Sequence, residues 1–126
     1  MKKTVALSLI VMTLLIACKK DKEEITLKGE WNVENIITKE YQSGILVNTN
    51  TEPGGGYKYD FQDNGELLIS AFLTASTAPY TIMSNSTVNI DGDIFEIRDL
   101  TGSGVTLFFR TDYVNQYQEM FLNLKR

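Results

Sequence analysis

The sequence predicts an all-β fold, an antiparallel up-and-down meander closed into a barrel of about eight strands. Three observations point to it. From Lys28 onward the apolar residues come in short alternating runs. The breakers Gly, Asn, Asp and Ser recur at intervals of roughly ten residues. No window carries an amphipathic helix with caps at its ends. Closure is expected because an open sheet of so many strands would leave long edges to protect.

The first element is not part of that sheet. Met1-Lys2-Lys3 is a short basic start, and Val5 to Ala17 is apolar apart from Ser8 and Thr13. A spanning helix needs about 20 apolar residues, so this run is too short to cross a bilayer and predicts an export leader over residues 1–17. Leu15-Ile16-Ala17-Cys18 ends it in aliphatic-aliphatic-small-Cys order, and Cys18 is the only cysteine of the chain. A lone thiol in an oxidising compartment has no partner for a structural disulfide. The pattern resembles the processing site of bacterial lipoproteins, which implies cleavage before Cys18, a diacylglycerol on its sulfur and an acyl group such as palmitate on the new amino terminus. One chain alone binds a membrane marginally; two or more anchor it.

Lys19-Lys20-Asp21-Lys22-Glu23-Glu24 mixes charges with no apolar residue and predicts a solvated tether, residues 18–26, ahead of a barrel domain over residues 27–126. Lys19 is not aspartate, which by resemblance to enteric lipoproteins implies the outer rather than the inner membrane, on its periplasmic or its surface side. Removing the leader leaves 109 residues, enough for one core, with 10 basic against 16 acidic side chains. At a net charge of −6 the mature chain is a poor partner for nucleic acid. It has no histidine, so Ser-His and Cys-His nucleophiles, His-containing zinc sites and imidazole acid-base chemistry are excluded. No enzyme, metal site or cofactor is expected.

The first strand is expected over Gly29 to Lys39, with Trp31, Val33 and Ile37 on one face and the adjacent Ile36-Ile37 pair hinting at a bulge. A second follows the Gln42-Ser43 turn, from Gly44 to Thr49. Thr51 to Gly56 then reads as a mobile loop, since Pro53 lacks a donor and three glycines follow it. It is either a flap over a cavity mouth or a plain connection. The best local signal is the hairpin around Asp63-Asn64-Gly65. A two-residue turn would pair Asp63 with Glu66 and Phe61 with Leu68 and send Leu67, Ile69 and Leu73 to the same side as Lys58 and Asp60. A three-residue loop with Gly65 left-handed pairs Gln62 with Glu66 and Phe61 with Leu67. That register, which places Tyr57, Tyr59, Phe61, Leu67, Ile69, Ala71 and Leu73 on one face, is the expected one. Strands are further expected at Tyr80 to Ser84, Thr87 to Ile90, Ile94 to Leu100 and from Val105. A looser stretch spans Thr111 to Tyr117, and a final strand sets Met120, Leu122 and Leu124 on one side.

Lys28-Gly29-Glu30-Trp31 at the head of the first strand resembles the Gly-x-Trp signature of lipocalins, and Thr111-Asp112-Tyr113 matches their Thr-Asp-Tyr motif. With the leader, the tether and the Phe61-x-x-Asn64-Gly65 hairpin, the chain resembles the small lipocalin-like lipoproteins of Gram-negative bacteria. The resemblance implies a lipocalin-like β-barrel whose Trp31 plugs one end, with an arginine stacked on it, either Arg110 or Arg126. Only thirteen residues follow Tyr113, room for one strand where lipocalins have two and a helix.

The function so implied is a membrane-anchored lipoprotein binding a small apolar molecule in or near the barrel. Its expected lining is Trp31, Tyr57, Tyr59, Phe61, Ile69, Leu107, Phe109, Met120 and Leu122, unless these simply fill the core. The alternative is a module that binds an envelope protein, as a hydrolase inhibitor or an accessory subunit of a surface complex. That module would act through the loops at Thr51 to Gly56, Ala75 to Pro79 and Tyr113 to Tyr117.

Overall fold

Strand β1 (Gly29–Gln42) organises the sheet, because it is long enough to serve three neighbours. A computed structural model describes residues 25–126; the leader, Cys18 and residues 19–24 of the tether lie outside the described residues. The remaining strands are β2 (Ile45–Pro53), β3 (Lys58–Phe61), β4 (Glu66–Ser70), β5 (Ala75–Ser84), β6 (Thr87–Ile90), β7 (Asp93–Arg98), β8 (Gly104–Tyr113) and β9 (Gln116–Lys125). Along one edge β1 pairs antiparallel with β9, from Asn32 to Gln42. Along the other edge its first residues, Gly29 to Asn32, pair with β3, and Asn35 to Gln42 pair with β2. The circuit β1, β3, β4 and onward to β9 and back to β1 is an eight-stranded antiparallel barrel, with β2 left outside it.

The interior follows the period of two. Val88 and Ile90, Phe95 and Ile97, Val105 and Leu107, and Leu122 and Leu124 enter the core from β6 to β9, and Leu27, Trp31, Val33, Phe61, Leu67 and Tyr80 complete it. Each such side chain contributes roughly 1.5–3 kcal/mol on full burial. Trp31, Leu67, Val88 and Leu107 are 0% exposed, so no space a water could enter adjoins them. This part of the barrel is filled by its own side chains.

The hairpin takes the three-residue loop. Phe61 faces Leu67 and Tyr59 faces Ile69, while the Gln62 amide donates to the Glu66 carbonyl (3.1 Å) and Gly65 is left-handed at φ +82°. That face ends sooner than expected. Strand β4 stops at Ser70, so Leu73 projects from the 71–74 turn, 87% exposed, instead of entering the core.

Other boundaries also differ from expectation. The register of β1 against β9 shifts between Val33 and Asn35, a bulge that turns Ile36 rather than Ile37 toward the core. Residues 51–53 belong to β2, where Pro53 makes the last pair, opposite Asn35, on a strand whose far edge is free. Ala75 to Pro79 is not a loop but the first half of β5, paired with β4. Thr111 to Tyr117 contains no loose stretch: β8 and β9 run on to a turn at Val114-Asn115.

Gly54 marks where the edge of β1 passes from β2 to β3. Its amide donates to the Glu34 carbonyl (3.0 Å), the Val33 amide donates to the Tyr57 carbonyl (2.9 Å), and a Cβ on Gly54 would lie 1.7 Å from the Val33 oxygen. Only a residue without a side chain fits there.

Candidate functional site

The barrel has two unlike ends. At the end where the described chain begins, the Trp31 indole Nε1 donates to the Leu27 carbonyl (2.8 Å), closing the segment 25–28 over the core. The Arg126 guanidinium lies 3.8 Å over the Trp31 ring and donates to the carbonyls of Lys28 (3.0 Å), Thr26 (3.1 Å) and Gly102 (3.3 Å). A Cβ on Gly29 would stand 2.9 Å from that guanidinium, and its φ of +107° is one that side chains disfavour. The spacing Gly-x-Trp thus has a local cause: the glycine makes room for the cation that covers the tryptophan. Arg110 is occupied elsewhere, 3.9 Å over Tyr117 and 2.9 Å from Asp112.

The opposite end is open. Strand β7 pairs with β8 only through Glu96 to Arg98, so Phe109 to Tyr113 run past it. With β9, the far half of β1 and β2, they form a four-stranded extension standing beyond the barrel. Its inward rows follow from the register: Ile36, Leu122 and Leu107; then Thr38, Met120 and Phe109; then Glu40, Gln118 and Thr111. Apolar residues give way to polar ones toward the tip.

Where they meet is a recess of about 200 Å³. Phe95, Phe109 and Met120 make its floor, and Thr38, Asp93, Thr111 and Gln118 its rim. The two phenyl rings are 5.1 Å apart and tilted by 33°, an arrangement aromatic pairs favour. Asp93 is the one ionisable side chain in this lining. The arrangement can hold a flat or short apolar group on the rings while hydroxyls, an amide and a carboxylate address a polar end.

Of the nine expected lining residues, only Phe109 and Met120, direct cross-strand neighbours, line this recess. Trp31, Phe61, Leu107 and Leu122 are buried core. Tyr59 and Ile69 pack against that core from β3 and β4. Burial first, and Tyr57 second, pushes the Tyr59 phenol above its ordinary pKa. Tyr57 lies ahead of β3 and is 47% exposed, so it lines nothing inside the barrel. Phe95, Thr38, Asp93, Thr111 and Gln118 were not anticipated; carrying the alternation of Val105, Leu107 and Phe109 on to Thr111, and of Leu122 and Met120 back to Gln118, reaches two of them.

A larger recess of about 580 Å³ lies at the closed end between the segment 25–28 and Ile82, Ile97 and Leu100. It borders the point where the described residues begin. On the outer face two half-buried cations cover rings: Lys39 of β1 lies 5.2 Å over Phe121, and Arg98 of β7 lies 3.8 Å over Phe108. Among the described residues no three His, Cys, Asp or Glu side chains gather as metal ligands would. No protein-family model matches the chain, and no curated protein matches its sequence.

Proposed function

We propose that this chain is a lipid-anchored, lipocalin-like lipoprotein of the bacterial envelope that binds a small apolar group at the open end of its barrel. The observation that carries the binding reading is the aromatic floor of Phe95, Phe109 and Met120 under a polar rim. The recess is below the 300–1,000 Å³ usual for drug-sized ligands, so its occupant is an aromatic ring or a short aliphatic chain with a polar end. The interior supplies no cargo space around Trp31, Leu67 and Leu107. The anchor rests on the leader ending at Cys18, and the lipocalin-like reading on the Gly29-x-Trp31 entrance covered by Arg126. With no histidine, binding rather than catalysis is the economical use of the site.

Two measurements test this. Intact mass of the protein extracted from envelopes is expected to show a diacylglyceryl and acyl modification on Cys18; a free thiol sinks the anchor. Thermal unfolding against a panel of small aromatic and short-chain amphiphiles is expected to show a rise for at least one, which Phe109→Ala removes. A saturating ligand at 100 times its Kd adds about 2.7 kcal/mol. No rise across the panel sinks the ligand.

A second reading, a protein partner in the envelope, is favoured by a separate observation. Ile45, Leu46, Val47, Tyr113 and Val114 are all exposed at the two hairpin tips of the extension. The Ser43 amide ties these tips together by donating to the Asn115 carbonyl (3.0 Å).

A further inference from the structure

Strand β2 contributes nothing to the barrel. All nine of its residues are exposed, and among the described residues it pairs only with β1. Its other edge therefore carries a row of backbone amides and carbonyls with no strand across it. Natural sheets blunt such an edge with lysines, inward charges, proline, bulges or brevity, because it is a template for another strand. Here Ile45 to Thr51 contains no charge and no proline, and a single bulge, at Val47 near the tip; Glu52 and Pro53 come only where β2 reaches the barrel. The residues are nonetheless strand formers, with Ile45, Val47, Thr49 and Thr51 β-branched. A β-prone strand that builds no core and carries its one charge at the barrel end leaves that edge open to a further strand.

We propose that β2 pairs antiparallel with β2 of a second copy of this chain, joining two four-stranded extensions into one sheet. A two-fold axis at Thr49, the middle of the strand, gives the fullest overlap. It sets Asn48 opposite Asn50 and, past the bulge at Val47, lays Glu52 beside the uncharged Ile45 to Val47 of the other copy, so the only charged residue of β2 never faces its own copy. The pairing is isologous and closes at two copies. The other free edge of the extension, Phe109 to Tyr113, carries Arg110 and Asp112, and pairing it with β2 would be head-to-tail and open-ended. The β2 pairing also lays the exposed Ile45, Leu46 and Val47 of each copy beside Thr51, Glu52 and Pro53 of the other. It does not depend on what the mouth recess holds.

The test uses the full chain extracted in density-matched detergent. Sedimentation equilibrium is expected to give twice the protein mass for the native chain and a single mass for Thr49→Lys, which sets two ammonium groups side by side at the axis. Circular dichroism checks that this variant keeps its fold, as an exposed position outside the barrel allows. Directly opposed residues of an antiparallel pair have Cα atoms about 4.5–5.5 Å apart, within disulfide reach. In intact cells Thr49→Cys is therefore expected to give an oxidised homodimer, and Ser76→Cys, exposed on β5, none. A native chain that stays at single mass overturns the proposal. So does a dimer unchanged by Thr49→Lys, or a Thr49→Cys variant that crosslinks only to a different protein. Ligand binding by the single-mass Thr49→Lys variant separates failure of this pairing from failure of the recess.

Discussion

The guanidinium of Arg126 stacks 3.8 Å above the indole of Trp31, and three of its nitrogens donate to backbone carbonyls of the segments that frame the closed end. Strand β9 thereby locks the start of β1 from outside. Arg126→Ala is expected to lower unfolding free energy by about 1–3 kcal/mol, a cation-π contact plus hydrogen bonds to a charged donor. Arg126→Lys recovers only part of the loss, since an ammonium cannot span the same fork. Arg110→Ala, removing an exposed pair on Tyr117 and Asp112, is expected to cost about 0.5 kcal/mol or less. Urea unfolding of the three variants decides; equal losses for Arg126→Ala and Arg110→Ala would deny the closed end its role.

Gly54→Ala places a methyl 1.7 Å from the Val33 carbonyl oxygen, against backbone that is itself hydrogen-bonded in the sheet. Relief requires β2 and β3 to separate from β1 at the handover. The expected cost is about 1–3 kcal/mol, as for overpacking elsewhere. It is read as a lowered thermal midpoint by circular dichroism, and an unchanged midpoint would mean that the handover has slack.

The buried face of the hairpin is tested by two leucines. Leu67 is wholly buried opposite Phe61, and Leu67→Ala is expected to cost about 2–5 kcal/mol. Leu73 stands in solvent on the 71–74 turn, and Leu73→Ala is expected to stay within about 0.5 kcal/mol of the native chain. Leu67 and Leu73 share a side in either register, so the deciding outcome is Leu67→Ala alone: a cost as small as that of Leu73→Ala would deny Leu67 its buried place opposite Phe61.

Three of the six tyrosines titrate late. Burial raises Tyr59, burial and then Asp63 and Asp60 raise Tyr80, and a hydrogen bond to Glu119 leads the causes that raise Tyr41. A phenol whose folded pKa exceeds its unfolded value of about 10 keeps its proton longer in the native state. Its contribution is complete below that unfolded value and is lost as pH rises through the folded one. Stability is therefore expected to fall above about pH 10, with a slope that Tyr59→Phe makes shallower. An identical alkaline slope in Tyr59→Phe would rule out burial of that phenol as the source.

Much of the barrel is written in local pattern. The two-residue alternation of Val105, Leu107 and Phe109 and of Leu122 and Leu124 selects strands with one buried face, and that face is the core. Asn64-Gly65 narrows the hairpin to two registers, and the hydrophobic set on one side chooses between them, because the wrong one would bury Lys58 and Asp60. Turn chemistry and periodicity act between near neighbours, so the chain itself states them. The mouth recess was half visible for the same reason: Phe109 and Met120 stand out as apolar, while Thr38, Thr111 and Gln118 look like any exposed strand residue until the strands are set side by side.

What the amino-acid order determined by itself was the all-β class, the tight hairpin and the faces of the regular strands such as β8 and β9, since each follows from contacts a few residues apart. Only the tertiary structure decided that β1 closes the circuit onto β3 rather than β2, that β2 is pushed out of the wall, and that Arg126 rather than Arg110 covers Trp31. Each depends on which edges meet across the whole chain. A single extra residue at the Val33–Asn35 bulge is enough to exchange Ile36 for Ile37 at the core. Alternation cannot show such an offset, because a shift by one reverses a strand's faces while leaving its composition unchanged.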